Sequence, residues 1–299
     1  MSTVVRTSPP TSRLPTQFGV CLLPTDLGPT PIELARAVEE RDLDMLFFAE
    51  GGHVPVKHTK NAYRTSNAVK PFARMYDSIT ALAACAAVTT RIKLGTGVCL
   101  LTERDPIITA KSIASLDRIS DGRVIFGIAD AFIRAAIENR GSPFKSRWAI
   151  VREKALAIRT FWNNDPAEFQ GEYVDFDPIW SQPKPIQVGG PPMYIGSNSA
   201  KVPARVAAYA DGWMPIYERC AGDPIADLRR ACDECKRNFN ELTVYLFGAP
   251  TDDQVIDDLI SRGAHGFVFF TPPETNDIMH DLDEIALFAE RLRANSPSN

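Results

Sequence analysis

The feature that most restricts the fold of this chain is an eightfold alternation of short β-rich runs with longer amphipathic runs. The short runs are apolar and rich in β-branched or aromatic residues, as is typical of strands in a parallel sheet buried on both faces. They cover Phe18–Leu23, Met45–Ala49, Ile92–Val98, Arg123–Ile128, Met193–Gly196, Gly212–Ile216, Thr243–Phe247 and Gly266–Phe270. The amphipathic runs predict helices over Pro31–Arg41, Asp77–Thr89, Asp105–Ile119, Arg147–Trp162, Val202–Ala210, Ile225–Asn238, Thr251–Ser261 and Ile278–Arg293.

Eight such units predict an α/β fold, a single (β/α)₈ or TIM barrel. Right-handed crossovers close these units into a barrel, and a chain of 299 residues suits a fold that needs about 250. The alternative is an open doubly wound sheet, which usually has about five or six strands and a G-x-G-x-x-G motif after the first of them. That motif is missing here. We therefore predict the barrel over residues 17–294, with extended loops over its carboxyl-terminal face.

The remaining composition limits location and partners. Residues 1–16 are rich in Ser, Thr and Pro, so we predict a flexible tail and no secretory signal, with a second tail over 295–299. A net charge of −4 offers no basic field for nucleic acid or an anionic membrane. No apolar run approaches the roughly 20 residues that span a bilayer. Six cysteines in mostly apolar segments favour reduced thiols and a cytoplasmic location.

Cys232 and Cys235 form a C-x-x-C pair inside the polar helical run Ile225–Asn238. A redox pair normally lies at the start of a helix, and a zinc site needs a second pair of ligands. We interpret both as helix residues without a function, and we predict no metal site.

Two connections are longer than a barrel requires. One extends from Gly51 to about Arg74 and the other from Asn163 to about Pro192. Long loops in compact domains are usually functional or mobile. The first leaves the carboxyl end of a strand, and the second is long enough to reach the same rim. We predict both as lids over the barrel mouth.

In this fold the chemistry comes from residues at the carboxyl ends of the strands. Glu50 and His53 follow the second strand, and Asp130 follows the fourth. Carboxylate and imidazole groups transfer protons in closed sites, so we predict Glu50, His53 and Asp130 as catalytic residues. The alternative for a lone carboxylate at a strand end is a structural hydrogen-bond acceptor.

Two further strand ends suit a ligand. The run Gly196-Ser197-Asn198-Ser199 follows the fifth strand and leads into a helix. Its free N–H groups and the helix dipole predict a phosphate site, with simple capping of the helix by Ser199 as the alternative. The third strand ends in Gly95-Thr96-Gly97-Val98. Glycine there permits the close approach of a flat ligand, or serves the turn geometry alone.

Several segments together resemble the luciferase-like monooxygenase superfamily, especially the branch that uses the deazaflavin coenzyme F420. The similarity extends from about Phe18 to Arg293. The matching motifs are Arg91–Val98 (RIKLGTGV), Asp105-Pro106 with Ala110-Lys111, Leu116–Arg123 (LDRISDGR), Pro192–Ser197 (PMYIGS), Ala210–Pro215 (ADGWMP) and Phe247–Asp252 (FGAPTD). No single motif is diagnostic, but their order along the chain is specific.

The resemblance implies that a cofactor, F420 or alternatively FMN, lies across the barrel mouth. It implies a non-prolyl cis peptide at Gly97–Val98 that supports the cofactor ring, and a cofactor phosphate at the loop 196–198. Ala131 and Met214, near the ends of the fourth and sixth strands, complete the predicted cofactor-binding set. The resemblance also implies a homodimer.

The chain departs from this family pattern at two strand ends. Gly51 stands where a histidine usually follows the acidic residue of the second strand. After the fourth strand, residues 129–136 read Ala-Asp-Ala-Phe-Ile-Arg-Ala-Ala, where the family usually has a glycine-rich turn, Trp-Asn and paired acids. These departures affect the expected chemistry and leave the expected fold unchanged.

Three hypotheses follow. The first is an F420-dependent, or less readily FMN-dependent, oxidoreductase that transfers a hydride to or from a small organic substrate, with Glu50 or His53 handling the proton. The second is an FMN-dependent monooxygenase supplied by a separate flavin reductase. The third is a barrel without flavin redox activity, which binds a ligand or runs acid–base chemistry with Glu50, His53 and Asp130.

Overall fold

Eight parallel strands close into a barrel, as predicted, in a computed structural model that describes residues 16–56, 71–271 and 277–295. In chain order the strands are β1 (Gln17–Leu22), β2 (Met45–Phe48), β3 (Lys93–Thr96), β4 (Cys99–Leu100), β5 (Val124–Ala129), β6 (Ala167–Gln170), β7 (Asp175–Ile179), β8 (Met193–Ile195), β9 (Gly212–Trp213), β10 (Thr243–Phe247) and β11 (Gly266–Phe270). Around the barrel the order is β2-β1-β11-β10-β9-β8-β5-β3, and pairing of β3 with β2 closes the ring. The short β4 continues the third strand along the end of β5.

Helices surround the barrel. They are α1 (Pro31–Glu40), α2 (Ser78–Ala86), α3 (Pro106–Ile119), α4 (Arg134–Asn139), α5 (Arg147–Asn163), α6 (Val202–Tyr209), α7 (Pro224–Cys235), α8 (Asp253–Arg262) and α9 (Ile278–Asn295). Capping residues in the sequence mark the start of several of these helices. Thr30 and Glu33 form a reciprocal capping box on α1, and the Asp105 side chain caps α3 directly before Pro106. These start signals explain why the sequence predicts the main helices well.

The interior of the barrel is apolar. It is filled by Cys21, Met45, Phe47, Ile125, Tyr194, Met214, Tyr245, Phe247 and Val268. The Phe47 and Phe247 rings meet edge to face, with 5.1 Å between their centroids. Because this cluster consists of hydrophobic side chains, the chemistry of the protein is left to the mouth, where the strands end.

Three features differ from the sequence prediction. The short helix α4 was not predicted, nor was the antiparallel hairpin of β6 and β7. The helix α7 ends at Cys235, three residues earlier than predicted, because Lys236 adopts the left-handed conformation with φ 58°. The C-x-x-C pair therefore occupies the last turn of α7, with Cys232 buried and Cys235 exposed.

The prediction that the connection before β8 forms a lid is wrong. Its hairpin packs on α5, where the Phe176 ring stacks on Phe161 at 4.7 Å between centroids. The segment after the hairpin lies along α3, where buried Asp117 accepts hydrogen bonds from the backbone N–H groups of Ile186 and Gln187. The connection therefore lies on the outer helices, where Phe161 of α5 and Asp117 of α3 provide its hydrophobic and charged contacts.

The central part of the other predicted lid, residues 57–70, lies outside the described residues, as do the predicted tails apart from Thr16 and Asn295. None of the helices in the described ranges has both the length and the apolar composition needed to cross a membrane.

Candidate active site

The third strand end brings together four residues predicted to bind a cofactor. The Gly97–Val98 peptide bond is cis, as the sequence resemblance implies. The Val98 side chain lies directly against Gly196, where an added Cβ would be 2.4 Å from Val98 Cγ1. The same Cβ would be 3.7 Å from Met214 Cε. Gly97, Val98, Gly196 and Met214 therefore form one surface at the mouth, which we call the valine platform.

The loop after β8 carries unsatisfied donors. Among the described residues, the backbone N–H groups of Ser197, Asn198 and Ser199 have no hydrogen-bond acceptor. The side chain of Asn198 is fully engaged, since it donates to the Ile216 carbonyl at 2.8 Å and accepts from Ile216 N at 3.0 Å. Asn198 thus fixes the loop, and three successive backbone donors remain available for an anion.

The alternative interpretation of this loop, that Ser199 caps the following helix, is wrong. The helix α6 begins at Val202, its N-cap is Lys201, and no side chain caps it. The Ser199 carbonyl accepts from Val202 N at 2.8 Å, so Ser199 belongs to the turn before the helix.

Glu50, a predicted catalytic residue, lies in a buried ion pair. Only 4% of its side chain is exposed, and its Oε1 accepts from Arg104 Nε at 2.8 Å. Its other oxygen accepts from the Ser78 hydroxyl at 3.0 Å. Arg104 also bonds to Asp77 with its Nη2. The two Glu50 oxygens thus have strong structural partners, which fix the wall between the second and third strand ends.

His53 faces a different carboxylate, that of Glu103. Its Nδ1 lies 3.5 Å from Glu103 Oε2, and its Nε2 lies 3.2 Å from the Asn139 amide nitrogen. Glu103 belongs to the single 3₁₀ turn after β4, and Asn139 ends α4. The short helix α4 and the turn therefore hold His53 from both sides.

Glu103 is buried beside another negative charge. Its side chain is 7% exposed. Burial and the nearby charge of Glu50 raise the pKa of Glu103 from 4.5 to about 7, although Arg140 and Arg104 oppose the increase. A carboxyl with this pKa exists in both protonation states near neutral pH.

This pKa makes stability depend on pH. Because folding favours the protonated form of Glu103, the free energy of unfolding should fall as pH rises from about 4.5 to about 7. Glu103→Gln removes that loss, so we expect the variant to be more stable than wild type by on the order of 1–3 kcal/mol at pH 8 and nearly equal to it at pH 5. Urea unfolding at both pH values measures this. Glu138→Gln, at an exposed position of α4, is the control and should change neither value. An equal difference between Glu103→Gln and wild type at both pH values would contradict the assignment.

Asp130, the third predicted catalytic residue, points to the outer helices. Its Oδ2 lies 2.7 Å from Arg147 Nε at the start of α5. Burial raises the pKa of Asp130, and Arg147 partly reverses that increase. The structure thus separates Asp130 from the pair of Glu103 and His53. Ala131, the next residue, does line the small cavity that Glu50, His53 and Glu103 share.

The two departures from the family pattern have structural explanations. An added Cβ at Gly51 would lie 2.8 Å from the carbonyl oxygen of Phe72, so the returning chain occupies the space of a side chain. After β5, Ala131 N donates to the Thr102 hydroxyl at 3.2 Å, and the chain then enters α4. The altered fourth-strand end therefore serves to seat α4 against the 3₁₀ turn.

Sequence reasoning missed Glu103, Arg104 and Asn139. The available signal was the adjacent acid–base pair Glu103-Arg104 four residues after Cys99, at a strand end already predicted to lie at the mouth. Asn139 carried no signal, because its role depends on α4. No group of His, Cys, Asp and Glu side chains in the described part of the chain is arranged to hold a metal ion.

Comparison with known proteins gives consistent matches. The model of the family described as luciferase-like monooxygenase matches residues 21–258. An uncharacterised protein of Mycobacterium tuberculosis is 36% identical over 200 residues, which cover 66% of this chain and 71% of that protein. An F420-dependent glucose-6-phosphate dehydrogenase of Amycolatopsis mediterranei is 29% identical over 210 residues, covering 66% of this chain and 54% of the relative. The crystal structure of a monooxygenase from Streptomyces bottropensis superposes with a TM-score of 0.73 at 18% identity, covering 93% of this chain and 99% of that one.

Proposed function

Since this chain belongs to the luciferase-like monooxygenase family, we propose that it is an oxidoreductase that binds coenzyme F420 and transfers a hydride to or from a small organic substrate. The F420-dependent relative from Amycolatopsis mediterranei supports this choice of cofactor. FMN, used with a separate reductase in a monooxygenase reaction, is the alternative, and the monooxygenase of similar fold keeps it open.

The residues at the mouth fit a cofactor of this kind. F420 and FMN share a phosphate group and a flat tricyclic ring. The loop 197–199 offers three unengaged backbone N–H groups, which suit a phosphate. The valine platform offers an apolar surface beside that loop, which suits one face of a ring. The observation that carries the proposal is this adjacency of free backbone donors and an apolar platform.

In this proposal each part of the mouth has a task. A bound cofactor would supply the hydride chemistry, while the protein supplies orientation and electrostatics. Val98 and Met214 would support the ring, and the N–H groups of Ser197, Asn198 and Ser199 would hold the phosphate. The apolar barrel interior below the platform excludes water from the underside of the site. The ion pair of Glu50 with Arg104 keeps the adjoining wall, between the second and third strand ends, rigid.

Cofactor binding tests the proposal. Purified protein titrated with F420 and then with FMN should bind F420 with the lower dissociation constant, in the micromolar range or below, by absorbance or fluorescence. Tighter binding of FMN would make FMN the cofactor. If neither binds at micromolar concentration, the redox proposal fails.

A substitution in the valine platform should weaken binding selectively. The new methyl group in Gly196→Ala displaces Val98, so we expect the dissociation constant for F420 to rise by about 10-fold to 100-fold, equivalent to about 1.4–2.8 kcal/mol. Gly28→Ala is the matched control, because a Cβ there meets nothing within 4 Å. Thermal unfolding of both variants separates lost binding from lost folding. Unchanged affinity in a folded Gly196→Ala variant would remove the platform from the proposed site.

A further inference from the structure

We infer that Glu103, positioned by His53, is the group that accepts and returns the proton in the reaction, whereas Glu50 and Asp130 act as structural ion-pair partners. This inference rests on the proposed oxidoreductase function. It assigns the proton to a residue outside the predicted catalytic set of Glu50, His53 and Asp130.

The first argument is that the other two carboxylates have charged partners at hydrogen-bond distance. Glu50 lies 2.8 Å from Arg104 Nε, and Asp130 lies 2.7 Å from Arg147 Nε. An arginine keeps its charge at all relevant pH values, so each carboxylate lies beside a permanent positive charge. Adding a proton to either one would neutralise the negative partner of an ion pair.

The second argument is that Glu103 lacks such a partner. Among the described residues, no donor makes a hydrogen bond to its buried carboxylate, and His53 Nδ1 lies 3.5 Å from its Oε2. Arg140, which follows α4, donates its Nε to the backbone carbonyl of Glu103 at 3.0 Å, and its hydrogen bond therefore leaves the carboxylate free. Buried polar groups normally have a hydrogen-bond partner, so we expect a bound ligand to donate a hydrogen bond to this carboxylate.

The third argument is that space for a donor exists at this position. Glu50, His53, Glu103, Ala131 and Phe132 line a cavity of about 20 Å³. That volume admits one water-sized group. A substrate hydroxyl or amine, or a water joined to it, would therefore meet the carboxylate of Glu103 and the ring of His53 together. Phe132, one of these lining residues, is largely exposed.

The surrounding charges keep Glu103 able to change its protonation state. Glu50 lies on one side and favours the protonated form, while Arg104 and Arg140 favour the ionised form. Lys154 of α5 donates to the carbonyls of Leu101 and Arg104 and so faces the same turn. Burial adds to the effect of Glu50, and together they hold the pKa of Glu103 at about 7.

This arrangement provides an acceptor for the proton that the proposed reaction releases. When a hydride passes with its electron pair from a substrate carbon to the oxidised cofactor, the proton on the neighbouring oxygen or nitrogen must also leave as the new double bond forms. That proton passes to a carboxylate oxygen of Glu103, directly or through one water. In the reductive direction Glu103 returns it to the same substrate atom. His53 donates to the carboxylate once it is ionised and so acts as a positioning residue.

The first test needs neither cofactor nor substrate. Difference infrared spectra of the cofactor-free protein between pH 6 and pH 8 should contain a protonated carboxyl band that titrates near pH 7. The band should be absent from Glu103→Gln and retained in Glu138→Gln. Persistence of the band in Glu103→Gln, or its absence from wild type, overturns the inference.

The second test measures the proton in turnover. Reduced F420 bound to the protein is mixed with menadione, a probe acceptor that takes up a hydride and a proton, in a stopped-flow instrument between pH 5.5 and pH 8.5. Glu103→Gln should slow the reaction by about 100-fold at pH 6.5 and remove its pH dependence, while F420 affinity stays within twofold of wild type. Glu103→Asp, which retains a carboxyl, should recover part of the rate. A wild-type rate and pH profile in Glu103→Gln would overturn the inference. Failure of wild type to bind F420 would instead overturn the proposed function, and the infrared result would be unaffected by it.

Discussion

Replacing Arg104 with Met should destabilise the protein by about 3–5 kcal/mol. The reason is the buried position of Glu50, which has 4% of its side chain exposed and depends on Arg104 for its charge balance. Without the guanidinium, the Glu50 carboxylate keeps only uncharged hydrogen-bond donors within the described structure, the Ser78 hydroxyl and the Cys99 thiol. An unpaired buried charge is among the costliest defects that a substitution creates.

Urea unfolding at pH 7 measures this effect, and two further variants identify its cause. The double variant Arg104→Met with Glu50→Gln should recover most of the lost stability, because it removes the unpaired buried charge of Glu50. Arg74→Met is the matched control. Arg74 pairs with Asp26, but both side chains are about half exposed, so we expect a loss below about 1 kcal/mol. If Arg104→Met cost no more than Arg74→Met, the pair of Glu50 and Arg104 would not be a structural element.

Gly127→Ala should be the second severe substitution, with a loss of about 3 kcal/mol or more. Gly127 lies in β5, and an added Cβ would be 2.1 Å from the backbone carbonyl oxygen of Thr96 in β3 and 2.3 Å from Met214 Cε. The side chain of Met214 can move, but the carbonyl can move only if the two adjacent strands separate. The new methyl group therefore opens the barrel where β3 and β5 meet.

Thermal and urea unfolding measure this loss. The control is Gly222→Ala, whose Cβ would meet nothing within 4 Å and which should lie within about 0.5 kcal/mol of wild type. We also expect Gly127→Ala to weaken F420 binding, since the clash displaces Met214 from the valine platform. Equal stability of the two glycine variants would contradict the described packing of β3 against β5.

Most of the fold could be predicted from the sequence because the barrel repeats one physical pattern. Each strand is buried on both faces and each main helix buries one face. The spacing of apolar residues along the sequence therefore predicts both the strands and the helices. The strands Thr243–Phe247 and Gly266–Phe270 occur with the predicted ends. The helix α4 and the hairpin of β6 and β7 were missed, since they pack on other helices and turns and lack that repeated spacing.

The site could be predicted only in part, for a related reason. Strand ends identify which residues reach the mouth, and so Glu50 and His53 were found. Their partners are set by side-chain directions between neighbouring strand ends, and Arg104, 54 positions away in sequence, bonds to Glu50. Apolar spacing contains no information on such pairs. Burial and charge at Glu103 likewise depend on α4, whose position was unknown from the sequence.

The crowding at Gly51 bears on how this chain can change over evolutionary time. The Phe72 carbonyl occupies the space that any side chain at position 51 would need. A histidine at position 51 would therefore require the segment around Phe72 to shift first. A new titratable side chain at the mouth would therefore be accommodated at another strand end and not at position 51, where the neighbouring backbone leaves no room for it.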